Sequence, residues 1–279
     1  MARDASRHHH PSPRGACIDD KYPLSSMQAP LLSTLITMQK GESMRIKVGM
    51  VVAKRERPAL SELEKYLPND WADVFLFPET YFLSEQLSDV CALVKRHRKW
   101  LITSMEDHRE PGKIYQTGVV IDPGGCLIGE HRKTVLTDWE KEHSIQPGDS
   151  IQMIETGLGP IGLAVCYEIW FPEVARLYAL QGAKILFNPI GTGMYYERQV
   201  EQWTTLARAR AIENGMFVFG CSHDVDTIPI AFAYSPTGEC LVFSREVNRL
   251  IRVVIDLEQT YETMSFTDRT PHLYQQICA

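Results

Sequence analysis

The sequence has no apolar run near the roughly 18 to 20 residues needed to cross a bilayer. Its most apolar N-terminal piece, "APLLSTLITM", is too short and lacks a secretory pattern, so no membrane partner is expected. There is no long basic run either. With 29 Lys and Arg against 35 Asp and Glu, the net charge is −6, which disfavours nucleic acid as a partner. The seven cysteines form an odd total without a CxxC pair. Reduced thiols in a cytoplasmic compartment are therefore expected rather than a disulfide framework. No GxSxG elbow and no HExxH helix occur, which removes two common hydrolase arrangements. What remains is ordinary globular usage, 44% hydrophobic and 23% charged over 279 residues. A chain of that length can bury about three quarters of its unfolded surface without metal or disulfide support.

Residues 1–43 are polar and read as a flexible N-terminal extension, with "HHH" at 8–10 as an incidental surface tract. A single compact domain is expected over 44–260, followed by a tail over 261–279. From Arg45 onward, short β-branched runs alternate with helical stretches. "RIKVGMVV", "ADVFLFPE" and "KWLITSM" are expected strands, and "PALSELEKYL" and "SEQLSDVCALVKRHR" expected helices. "IYQTGVVIDPGGCLIGEHRK" reads as a hairpin turning at Pro123–Gly125. A second half of similar layout follows: strands "SIQMIET" and "GPIGLAVCYE", helix "PEVARLYALQG", strand "AKILFNPI", helix "ERQVEQWTTLARARAIENG", then three closing strand runs. Strands and helices mixed throughout predict an α/β fold with helices covering sheet faces.

Two motifs are decoys. "GLGPIG" (157–162) satisfies GxGxxG, but it joins two expected strands and carries a proline, so a tight hairpin is the reading. Cys221 and His223 share a strand face, which is weak ground for a Cys–His pair. "FPE" occurs twice. At 171–173 the proline opens a helix and Glu173 sits near its positive end. At 77–79 the tripeptide ends an apolar strand among aromatics, where a partly desolvated Glu79 carboxylate would gain proton affinity, as a general base needs. A capping role remains open for Glu79. Lys133, closing "IGEHRK", should reach the same sheet edge, though a lone lysine is usually a surface charge. Cys166 at a strand end could be apolar filler or, beside a cation and a base, a nucleophile.

"LFPETYF", "EHRKTVLTDWE", "GLAVCYEIWFPEVARLYALQGAKILFNPIG" and "ARARAIENGMFVFG" together resemble, in order, the signatures of the nitrilase-like carbon–nitrogen hydrolases. The resemblance covers about Arg45 to Leu257. It implies a four-layer αββα sandwich, commonly paired into a homodimer or larger homo-oligomer through the helix Pro172–Gln181. It also implies Glu79 as base, Lys133 as oxyanion stabiliser, Cys166 as nucleophile, and Glu140 as a second glutamate, with Glu142 a rival. No cofactor and no metal are implied. The expected reaction is hydrolysis of a small linear amide or N-carbamoyl amine through a thioester on Cys166. Nitrile hydrolysis, acyl transfer and an idle scaffold are the alternatives. Tyr167 stands where true nitrilases carry tryptophan, which favours an amide. Trp170 stands where carboxylate-binding relatives often carry arginine, which favours a neutral or cationic substrate tail. Tyr81, Tyr115, Trp139, Met194 and Tyr195, with Tyr167 and Trp170, are the expected pocket residues.

Overall fold

The computed structural model describes residues 45–54, 59–263 and 268–274. The N-terminal extension with its histidine tract lies outside the described residues, as does part of the tail. In chain order the elements are β1 (Arg45–Val51), α1 (Leu60–Tyr66), β2 (Val74–Leu76), β3 (Phe82–Leu83), α2 (Leu87–His97), β4 (Trp100–Asp107), β5 (Tyr115–Ile121) and β6 (Leu127–Arg132). They continue with α3 (Asp138–Glu142), β7 (Ile161–Leu163), α4 (Pro172–Leu180), β8 (Ile185–Ile190), α5 (Glu197–Asn214), β9 (Phe217–Ser222), β10 (Ala231–Tyr234), β11 (Cys240–Ser244) and β12 (Leu250–Asp256).

A period of two decides which layer each strand residue meets. In β2, Val74 and Leu76 enter one apolar core while Phe75 and the following Phe77 enter another with Leu63, Val90 and Val94 of the helices. In β8, Ile185 and Phe187 share the first core, and Leu186 and Ile190 join Tyr178, Trp203 and Ala207 of α4 and α5. The shared core therefore lies between two sheets, and each sheet carries helices on its outer face. This is the four-layer αββα sandwich. Buried runs such as Phe75–Phe77 cannot alternate with polar residues because both faces are covered. Truncating a side chain such as Phe187 to alanine would cost about 3–5 kcal/mol.

The first sheet has the order β12-β1-β2-β4-β5-β6, with β3 beside β4, and the second β11-β10-β9-β8-β7. Parallel pairing joins β1-β2-β4 in the middle of the first sheet and β7-β8-β9 at one side of the second, whose other side, β9-β10-β11, is antiparallel, as are β12-β1 and β4-β5-β6. At the carboxyl ends of these parallel strands the sheets are hydrogen-bonded to each other. Asp224 N–H donates to Ala53 O at 2.9 Å, and the Cys221 thiol donates to Leu76 O at 3.4 Å.

Three expectations need correction. "SIQMIET" is not a strand beyond an isolated bridge between Ile154 and Ile161. The Gln181 side chain at the end of α4 satisfies its backbone instead, accepting from Met153 N–H at 2.9 Å and donating to Ile151 O at 3.0 Å. The strand expected through "GPIGLAVCYE" stops at Leu163, and Cys166–Trp170 form a 3-10 turn. Finally, Cys126 is disulfide-bonded, against the expectation of reduced thiols. It sits half-buried beside a hairpin turn. Cys91, Cys166, Cys221 and Cys240 are free. "GLGPIG" is a tight turn, closed by Gly159 N–H to Thr156 O at 3.0 Å.

Candidate active site

Glu79 lies just beyond β2, where the chain leaves the sheet. Thr103 Oγ1 donates to Pro78 O at 2.7 Å, and Thr80 N–H donates to Ser104 Oγ at 2.7 Å. Thr80 adopts a left-handed φ of 52°, stabilised by its hydroxyl bond to Gln116 Oε1 at 2.6 Å. Glu79 N–H reaches across to Ile190 O at 3.3 Å, and His223 Nε2 donates to Glu79 O at 2.8 Å. The chain over Pro78–Thr80 is thus tied to β4, to β8 and to the residue that follows β9. The residue is only 5% exposed.

Lys133 follows β6 directly. Its N–H donates to Gln116 O and its carbonyl accepts from Gly148 N–H, both at 2.8 Å. The side chain turns inward, 1% exposed, and its Nζ lies 3.0 Å from Glu79 Oε1 and 2.6 Å from Glu140 Oε1. Glu140 is fixed by α3. Thr137 caps that helix, and Glu140 Oε2 accepts from Thr137 N–H at 2.7 Å and from its hydroxyl at 2.9 Å, a capping box. Glu142, the rival, is exposed on the same helix.

Cys166 opens the 3-10 turn after β7. Its φ of 50° is left-handed, a conformation costing a non-glycine residue about 1–3 kcal/mol. Surrounding bonds hold it there. Asn188 Nδ2 donates to Cys166 O at 3.0 Å, and Asn188 is itself oriented by Trp203 Nε1 at 3.1 Å. Gly162 lets α4 approach β7, since a Cβ there would lie 2.6 Å from the Tyr178 ring. The Tyr178 hydroxyl bonds Leu163 O at 2.8 Å. Gly191 allows a second close approach: a Cβ would collide with Glu79 Oε2, and its N–H faces the Cys166 sulfur.

The charges follow from burial. Desolvation raises the proton affinity of Glu79, against the opposing pull of the Lys133 ammonium and hydrogen bonds from Lys133 and the Cys166 thiol. Desolvation, with the nearby Glu79 carboxylate, pushes the Cys166 thiol well above its ordinary value, opposed by Lys133 and the Gly191 N–H. For Lys133, desolvation is outweighed by Glu79, Cys166 and Glu140, so the ammonium is held charged. A thiol kept protonated beside a carboxylate of raised basicity needs that carboxylate to remove its proton. A fixed ammonium beside both can stabilise an oxyanion.

The pocket expectations fall at different places. Tyr167 and Trp170 are half-buried in the turn itself, among Phe171 and Trp203. Trp139 is exposed on α3 and stacks on His143 at 4.0 Å, and Tyr195 is exposed beyond β8. Tyr81 and Met194 are buried in the helix–sheet cores. The Tyr115 hydroxyl bonds Glu110 at 2.9 Å, and the Arg132 guanidinium lies 3.8 Å over its ring. Cys221 bonds Leu76 O while His223 bonds Glu79 O, so the two residues of "GCSH" serve different partners. Sequence reasoning missed Asn188, Gly191, His131 and Glu168, and met His223 only as a possible partner of Cys221. The one available signal was Glu168, a lone charge in the otherwise apolar "CYEIWF". Among the described residues no group of three or more His, Cys, Asp or Glu side chains could hold a metal ion.

The family profile described as carbon-nitrogen hydrolase matches residues 59–264. The omega-amidase of Xenopus tropicalis is 30% identical over 212 residues, 71% of this chain and 73% of its own length. That of Bos taurus is 28% identical, over 76% of this chain and 79% of its own. A hydrolase of Schizosaccharomyces pombe is 36% identical over 143 residues, but this chain spans only 42% of its length. In fold, the chain is similar to a carbon-nitrogen hydrolase from Helicobacter pylori G27, with a TM-score of 0.74 at 24% identity, covering 84% of this chain and 99% of that one. It is also similar to an amidase from Nesterenkonia sp. AN1, with a TM-score of 0.72 at 20% identity, covering 85% and 97%. With the profile matched over most of its length, this chain belongs to the carbon-nitrogen hydrolase family.

Proposed function

We propose that the protein hydrolyses the C–N bond of a small linear amide or N-carbamoyl amine through a thioester on Cys166. The observation that carries this reading is the buried Lys133 ammonium within hydrogen-bond reach of both Glu79 and Glu140, with the Cys166 thiol against Glu79. Glu79 takes the thiol proton as sulfur attacks the carbonyl carbon. The oxyanion is met by Lys133 and by the Tyr167 N–H, which at the start of a helical turn has no intrahelical partner. Glu79 returns its proton to the departing nitrogen as the C–N bond breaks, leaving a thioester. Water then loses a proton to Glu79 and attacks, the C–S bond breaks, and the thiol is restored. Glu140 orients Lys133 and supplies the negative charge that keeps it an ammonium.

Tyr167 after the nucleophile and the omega-amidase relatives both favour an amide over a nitrile. Trp170 offers an indole face rather than a guanidinium fork, and an indole suits a neutral or cationic tail better than a carboxylate. We extend the proposal to pairing of chains through α4, whose Leu177 and Leu180 are exposed. Ammonia release from a panel of amides, carbamoyl amines and nitriles, with Cys166→Ala alongside, tests the reading. Release confined to amides or carbamoyl amines and lost in the variant is the expected result. A strong preference for an amide bearing a distal carboxylate would overturn the assignment of the tail.

A further inference from the structure

Two edge strands of different sheets, β6 and β7, deliver Lys133 and Cys166. One buried side chain joins them. Glu168, fully buried, accepts at Oε1 from Thr134 N–H and from the Thr134 hydroxyl, both at 2.7 Å. At Oε2 it accepts from Val165 N–H at 2.7 Å and from His131 Nε2 at 2.9 Å. Val165 immediately precedes Cys166, and Thr134 immediately follows Lys133. His131 lies on β6, two residues before Lys133, and is itself buried against the Tyr178 ring. The geometry points to Glu168 as a positioning residue that fastens the backbone of the nucleophile to that of the lysine, setting the distance between sulfur and ammonium.

Four donors on two oxygens are what an ionised carboxylate accepts. Buried as it is, Glu168 is nonetheless held ionised: desolvation is outweighed by His131 and the bonds from Thr134. Two of its donors are backbone N–H groups, one just beyond the end of each strand, and neither can turn away. An amide in its place must aim its NH₂ at one of them, whichever way it is flipped. Glu168→Gln therefore keeps the volume and breaks the fastening. Misplacing a reacting group by about 1 Å can cost about 10²-fold in rate, and Cys166 already holds a left-handed φ that relaxes once its neighbour is released.

This inference rests on the proposed roles of Cys166 and Lys133, which ammonia release by the unaltered protein and by Cys166→Ala tests first. The measurement for Glu168 has two parts, made on folded full-length protein: steady-state kcat and KM, and the rate of Cys166 alkylation by iodoacetamide across pH. Alkylation needs no substrate, so it reads the fastening even where no amide is turned over. For Glu168→Gln the expected result is kcat lower by about 10²-fold, KM within about threefold, and alkylation slowed with a displaced pH profile. Thr134→Val removes only the hydroxyl donor and provides the second test where the glutamine variant does not fold. It should lower kcat about tenfold or more, the effect of losing one hydrogen bond to a charged group. A folded Glu168→Gln or Thr134→Val protein with a reduced melting temperature, but with kcat and alkylation unchanged, would assign Glu168 to stability alone and overturn the inference.

Discussion

Glu79, Lys133 and Glu140 act on one another before they act on any substrate. Removing the ammonium with Lys133→Met would leave two carboxylates buried without a cation, and breaking such a pair costs about 3–5 kcal/mol. We expect that loss in chemical denaturation together with loss of activity. An unchanged denaturation midpoint would show that the carboxylates do not need the cation. Glu79→Gln should retain the fold and lose about 10²- to 10⁴-fold in kcat, the usual worth of a general base, as read by ammonia release. The raised proton affinity of Glu79 adds a pH signature. The acid limb of kcat/KM should lie above the ordinary glutamate value of 4.5, since the base must be ionised to work. Glu168 has the opposite sign. Its folded-state value is lowered from 4.5, so its stabilisation is complete above that value and is lost as pH falls through the lowered one. Denaturation midpoints of Glu168→Gln should fall less steeply below pH 4.5 than those of the unaltered protein, and parallel slopes would contradict that.

At the level of elements, the site depends on short pieces that hold one side chain each. Helix α3 has five residues, and its Thr137 cap both starts the helix and grips Glu140. Thr137→Ala should cost about 0.5–2 kcal/mol and lower kcat, because Glu140 is then free to swing from Lys133. Gly191→Ala should lower kcat by about 10²-fold while folding remains, since a side chain there displaces Glu79. Differential scanning calorimetry beside steady-state kinetics separates the two effects. The long elements were legible in the sequence because they repeat: α2, α4 and α5 carry helical patterns of several turns, and β1, β4, β5 and β8 carry buried runs. The short ones were not. Five residues around Glu140 are too few to show a period, and "SIQMIET" alternates like a strand although Gln181 supplies its hydrogen bonds from a helix. Glu79, Lys133 and Cys166 were legible through their surrounding motifs. Asn188, Gly191 and Glu168 were not, because their importance lies in backbone groups distant in the chain, such as Ala164 O, Cys166 O and Thr134 N–H.

Across the whole molecule, the parallel strands of the two sheets present their carboxyl ends together, and Glu79, Cys166, Gly191 and His223 all lie just beyond those ends. Ligands of open α/β sheets bind in such crevices. The bonds joining β1 and β2 to β8 and β9 make the site a seam between sheets, so a shift of one sheet on the other alters the Glu79–Cys166 contact directly. No helix among the described residues is long and apolar enough to cross a membrane. The exposed Leu177 and Leu180 on α4 predict self-association by light scattering, and Leu177→Arg with Leu180→Arg should yield a monomer. A monomer already in the unaltered protein would refute pairing through this helix.

The central claim is that Cys166 carries the acyl group, and mass spectrometry of the Cys166 peptide, after quenching the protein in acid during turnover of an amide, tests it most directly. The expected result is a thioester adduct on Cys166, none on Cys91, Cys221 or Cys240, and no ammonia from Cys166→Ala. Undiminished ammonia release by Cys166→Ala, or an adduct on another residue, would contradict it.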